Sequence, residues 1–119
     1  MYSTQVLDHF QHPRNPGEIA QPDAFAQIEN PVCGDVLKLT LKVGDGRILE
    51  ARFKAKGCVP AMACASLLTE LIAGKSVDEA CTLRREDLAA AIGGLPQASA
   101  HAAQLALDAL TAALAQLKT

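Results

Sequence analysis

Two stretches of this chain pair a thiol with a glycine, Cys33-Gly34-Asp35 and Gly57-Cys58, and an imidazole, His101, stands beside Ala102 near the C-terminus. Thiolate and imidazole together favour zinc or an iron-sulfur centre over magnesium or calcium, hard ions that want mainly oxygen ligands. In the first stretch a tight turn aims Cys33 and Asp35 at one point, and Gly34 relieves the backbone of the strain. The same triplet also reads as a plain turn, with a small buried thiol and an aspartate bonding backbone amides.

Cys58 strengthens the metal reading. Val59-Pro60-Ala61 behind it open a helix, and amide dipoles at a helix N-terminus stabilise a thiolate, which suits a ligand or a sulfur acceptor. Cys64 follows six residues later, which places it about 9 Å further along the helix axis. Rather than a co-ligand, it is therefore a sulfur acceptor, a partner that resolves a disulfide with Cys58, or a cysteine that fills a packing position. Cys81 lies far from every motif and reads as structural, while His9 and His12, which have no partners at ligand spacing, read as structural or solvated.

The elements that must position these groups are legible from periodicity. Val6, Leu7 and Phe10 give a short N-terminal helix within residues 2–11, stopped by Pro13, Asn15, Pro16 and Gly17. Leu37, Leu39, Leu41 and Val43 alternate with polar neighbours as one strand, and Leu49, Ala51, Phe53 and Ala55 form the buried face of another. Gly44-Asp45-Gly46 joins them into an antiparallel hairpin. A hairpin brings the residue after its second strand back to the residue before its first, so Cys58 returns toward Cys33. A further strand is expected around Phe25–Asn30.

From Pro60 the period becomes helical. Met62, Leu67, Leu68, Leu71 and Ile72 run to Gly74, Ser76 with Glu79 forms a capping box, and Arg84–Ile92 gives another helix before Gly93-Gly94-Leu95-Pro96 breaks the run. The last helix carries Ala103, Leu107, Leu110, Leu114 and Leu117 on one stripe, expected to lie across the hairpin. The predicted fold is α+β, a small antiparallel three-stranded sheet packed against helices with a long C-terminal helix, in one domain spanning residues 1–119.

The chain has 119 residues, half of them hydrophobic, and a formal net charge of −2. That is enough for a core without disulfide staples. Both charge signs are interspersed, so there is no basic stripe of the kind nucleic acid requires. No run approaches the roughly 20 apolar residues of a membrane span. Asp8 and His9 interrupt any secretory core at the N-terminus, and the four cysteines read as thiols of a reducing compartment, so the cytoplasm is expected.

Taken in order, these motifs resemble the NifU/IscU-type scaffold proteins on which iron-sulfur clusters are assembled. The resemblance covers nearly the whole chain. Tyr2 to Gly17, with Asp8-His9-Phe10 and Gln11-His12-Pro13-Arg14-Asn15, is similar to the family's N-terminus. Cys33-Gly34-Asp35 resembles its first cysteine motif, Gly57-Cys58 with the helix behind it the second, and Leu95-Pro96 leading to His101 the third. The family's site has three cysteines, an aspartate and a histidine; its third cysteine would follow His101, where this chain has Ala102. Isc members present Leu-Pro-Pro-Val-Lys to a specialised chaperone, where this chain reads Leu95-Pro96-Gln97-Ala98-Ser99.

The resemblance implies a scaffold that is not a turnover enzyme, accepts sulfur from a cysteine desulfurase, holds iron or a transient cluster, most simply 2Fe-2S, and passes it to cluster-accepting apoproteins. The implied metal ligands are Cys33, Asp35, Cys58 and His101, and the sulfur acceptors Cys33, Cys58 or Cys64. The loss of the third thiolate leaves two alternatives open: a zinc-binding sulfur carrier, and a degenerate structural or regulatory paralogue without metal. A homo-oligomer sharing one cluster would supply the missing thiolate from a second copy.

Overall fold

Alternating apolar residues and one tight turn build the sheet from which the site is hung. In the computed structural model, which describes residues 2–31 and 34–117, the elements are α1 (Thr4–Gln11), β1 (Ala24–Glu29), β2 (Val36–Gly44), β3 (Arg47–Lys56), α2 (Val59–Ile72), α3 (Val77–Ala80), α4 (Arg85–Ala91), a 3-10 turn (Gln97–Ser99) and α5 (Ala100–Ala115). The strands are antiparallel in the order β1-β2-β3, so the α+β expectation holds. Asp45 and Gly46 turn the hairpin with φ of 53° and 75°, the positive values a two-residue type I′ connection requires.

The register puts one face together. Ala24, Ala26 and Ile28 stand opposite Leu41, Leu39 and Leu37, which in turn face Ala51, Phe53 and Ala55. The second strand departs from the expected alternation at its start. A shift between Lys42 and Val43 pairs Val43 with Ile48, so Ile48 is fully buried while Leu49 is 61% exposed. The extra residue of a bulge reverses which side chain meets the core.

Helices cover the inner face, α2 over β3 and α5 over β1 and β2, with α1 against α2 and α4 against α5. The expected placement of α5 across the hairpin is thus corrected: it lies over the β1–β2 half. Its buried stripe is corrected too, for Ala102, Ala106, Ala109 and Ala113 sit at its centre beside Ala103, Leu105, Leu110 and Leu114, whereas Leu107 and Leu117 are only partly buried. Small side chains allow close approach, so the alanine face takes the tightest packing while longer leucines reach in from the sides.

The other face of the sheet is crossed by the chain between α1 and β1. Asn15 and Gly17 exchange backbone hydrogen bonds with Phe53 on the free edge of β3, and Ile19 N–H donates to the buried Thr40 hydroxyl at 3.1 Å. Lys38 and Lys54 are directly paired across β2 and β3, an unfavourable arrangement of like charges. Glu18 bridges them, at 2.6 Å and 3.7 Å.

Candidate metal centre

The hairpin's register delivers the site. Val36 pairs with Lys56, so Asp35 and Gly57 are the next positions outward, and Cys58 follows as the N-cap of α2 with Pro60 in the first turn. Cys58 offers no side-chain cap of its own. The Asp35 carboxylate supplies one from across the hairpin, Oδ1 accepting the Cys58 backbone N–H at 3.1 Å. Its second oxygen, Oδ2, accepts from the Cys58 thiol at 3.2 Å. Asp35 is buried, with 3% exposure.

His101 arrives from the far end of the chain, in the first turn of α5. Its Nε2 lies 3.6 Å from Asp35 Oδ2 and 4.0 Å from Cys58 Sγ. One donor atom each from Asp35, Cys58 and His101 can be chosen so that all lie within 4.8 Å of one another. Cys58 and His101 are half-buried while Asp35 is enclosed. A sulfur, a nitrogen and an oxygen thus converge from three elements at the surface end of the core, the donor set that suits zinc or iron.

The structure therefore brings Asp35, Cys58 and His101 together. Cys33 lies outside the described residues. Cys64 is fully buried, and burial, with the nearby Cys58 charge adding to it, pushes its thiol up to about 12. Cys81 is exposed at the C-cap of α3 and so fills no core position. Ala102 points into the core with no exposure, one residue beyond His101.

Sequence reasoning missed what anchors the N-terminal motif. His9 Nδ1 and the Arg14 backbone N–H both meet the Ser66 hydroxyl at 2.8 Å, and Thr69 Oγ1 donates to the Ser66 carbonyl at 2.8 Å. Arg14 pairs with Asp8 at 2.6 Å, and its Nε stands 3.7 Å from Glu70. Burial and the Arg14 charge lower the His9 pKa, against the opposing pull of Glu70 and Asp8. The signal available was Ser66 and Thr69 inside the apolar run of α2, since buried hydroxyls need partners.

The sequence model of the NifU-like N terminal domain family matches residues 1–119. The chain belongs to the NifU-like N-terminal domain family. Two relatives of this NifU-like domain are iron-sulfur cluster assembly scaffold proteins named IscU. That of Archaeoglobus fulgidus is 45% identical over 114 residues, covering 96% of this chain and 74% of the relative. That of Escherichia coli K12 is 43% identical over 122 residues, covering 99% and 94%. A crystal structure of a nitrogen-fixing NifU-like protein (N-terminal) from Brucella abortus superposes with a TM-score of 0.81 at 21% identity, covering 98% of this chain and 93% of that one, which supports the fold. Among the described residues no helix is long and apolar enough to cross a membrane.

Proposed function

We propose that this NifU-like domain is an iron-sulfur cluster assembly scaffold. The observation that carries the reading is the convergence of Asp35, Cys58 and His101 donor atoms in a chain 43–45% identical to two IscU scaffold proteins. Iron and sulfide are its cargo and it is not a turnover enzyme. Cys33 and Cys58 are thiolate ligands and persulfide acceptors, His101 is the nitrogen donor, and Asp35 is an oxygen donor weak enough toward a soft centre to keep the cargo labile. The buried, protonated Cys64 is poorly suited to accept sulfur, because the thiolate is the nucleophile.

Sulfur comes from a cysteine desulfurase and the cluster, of the 2Fe-2S type, passes to apoproteins in the cytoplasm. Cluster-loaded protein mixed with an apoprotein that takes a two-iron cluster should convert it to the holo form. Failure of transfer from loaded protein would remove the scaffold reading.

Ala102 favours a second reading. With no thiolate after His101, Cys33, Asp35, Cys58 and His101 form a four-donor set that suits one tetrahedral zinc, and the chain would then carry sulfur on a thiolate exchanged off the metal. Stoichiometric zinc, a persulfide mass on Cys33 or Cys58 after treatment with desulfurase and cysteine, and no cluster would establish that carrier. A fold that melts identically with and without chelator, and takes up neither iron nor zinc, would identify a paralogue that has kept only the architecture.

A further inference from the structure

Gly57 stands where an added side chain would collide with Asp35. A Cβ added there would lie 2.6 Å from Asp35 Cγ and 2.9 Å from Asp35 Cβ, closer than real Cβ atoms approach. Its φ of 154° is also one that residues with side chains rarely adopt. At Gly44 and Gly93 the nearest atoms belong to the ends of the exposed side chains of Leu49 and Gln5, which can swing away into solvent. Asp35 cannot do so without losing its contacts. Its side chain is short and buried, Oδ1 is held by the Cys58 N–H, and Oδ2 faces Cys58 Sγ at 3.2 Å and His101 Nε2 at 3.6 Å.

We propose that Gly57 is a positioning residue for the metal site: by lacking a side chain it lets the Asp35 carboxylate lie across the Cys58 backbone N–H, so that Asp35 presents a single oxygen, Oδ2, to what Cys58 and His101 hold. The inference rests on reading Asp35, Cys58 and His101 as donors of one site. The amide at the start of α2 is a natural donor to a negatively charged oxygen, and engaging Oδ1 there fixes the carboxylate's rotation. Hydrogen bonds of this kind around a metal orient its ligands and commonly alter affinity roughly 10- to 100-fold. Gly57 therefore governs a ligand it does not touch through any side chain of its own.

The test uses the full chain as wild type, G57A, D35A and the G57A/D35A double variant, with two readouts: hydrogen exchange of the Cys58 amide without metal, and zinc affinity from competition with a chelator. Exchange should be slow in the wild type and about as fast in G57A as in D35A, and the double variant should match D35A. Zinc affinity should fall by a common factor in G57A and D35A, roughly tenfold, with the second substitution adding less than about twofold to the first. Wild-type exchange in G57A, or losses that multiply in the double variant, would overturn the proposal. If the wild type takes up no zinc through Cys58 and His101, the donor reading fails while the exchange comparison still decides the role of Gly57. If G57A does not fold, folding of G57A/D35A supports the collision as the cause; failure of both assigns the glycine to its φ alone and overturns the proposal.

Discussion

Cys58 Sγ lies 3.2 Å from Asp35 Oδ2 although 23 positions separate the two residues, and the same oxygen is 3.6 Å from His101 Nε2. A thiol, an imidazole and a carboxylate around one point repel or compete unless a cation or a proton sits among them. Removing the thiol or the imidazole deletes a strong donor, so C58A and H101A should each lose at least about tenfold in zinc affinity relative to the wild type. Retained affinity in C58A would mean that zinc binds elsewhere.

Asp35 should act differently on a cluster. Oxygen is a poor donor to a soft iron-sulfide centre, so under the proposed scaffold function Asp35 is the weakest of the ligands. In D35A a reconstituted cluster should decay more slowly, read as the loss of its visible absorption under chelator challenge. An unchanged or shorter lifetime would count against this role.

Thiol chemistry should divide the cysteines by environment. With its thiol at about 12, Cys64 holds only on the order of one thiolate in ten thousand at pH 8, and it is shut off from solvent. Iodoacetamide at pH 8 on folded, metal-free protein should modify Cys81 and Cys58 and spare Cys64 until denaturant is added. Peptide mapping that found Cys64 labelled early would show that the core of α2 opens readily.

The Ser66 hydroxyl carries the N-terminal segment. S66A leaves the Arg14 N–H and the His9 ring without that partner, and an unsatisfied buried group costs about 1–3 kcal/mol, so melting should fall by several degrees. His9 adds a pH dependence. Its folded pKa lies below the ordinary 6.5, so the unfolded chain takes a proton that the folded chain refuses. Its contribution is present above about pH 6.5 and is lost as pH falls from there toward the folded value. The melting temperature should drop between pH 7.5 and 5.5, and H9N should flatten that slope.

Much of this was legible in the chain because it depends on local rules. Alternation at Leu37, Leu39 and Leu41, Asp-Gly at the turn and Pro60 behind Cys58 are short-range signals, and together they bring Cys58 back beside Asp35. Alternation alone puts Leu49 on the buried face, whereas the bulge that turns it to solvent obeys the pairing of two strands, not the pattern of one. Periodicity weights leucine over alanine and so favours Leu107 and Leu117 on the stripe of α5, whereas close helix packing selects Ala102, Ala106, Ala109 and Ala113. The Ser66–His9 contact and the demand of Asp35 for a glycine at 57 join residues distant in sequence, and no local pattern encodes either.

Position 102 offers a gain of function. Ala102 is enclosed by the core, so a sulfur added there overpacks it at a cost of about 1–3 kcal/mol unless the side chain turns toward the site. A102C should melt lower than the wild type without metal and recover more on adding zinc, with a longer-lived cluster after reconstitution. Equal zinc-induced shifts in the two proteins would show that a thiol at 102 does not reach the donors.

Whether Cys58 helps this domain hold a cluster is decided by anaerobic reconstitution of wild type and C58A with iron and sulfide, counting both per chain and recording the visible spectrum. Matched iron and sulfide and a cluster absorption are expected in the wild type, and both should be lost in C58A. A wild type that binds neither, or a C58A that binds as well as the wild type, would contradict that role.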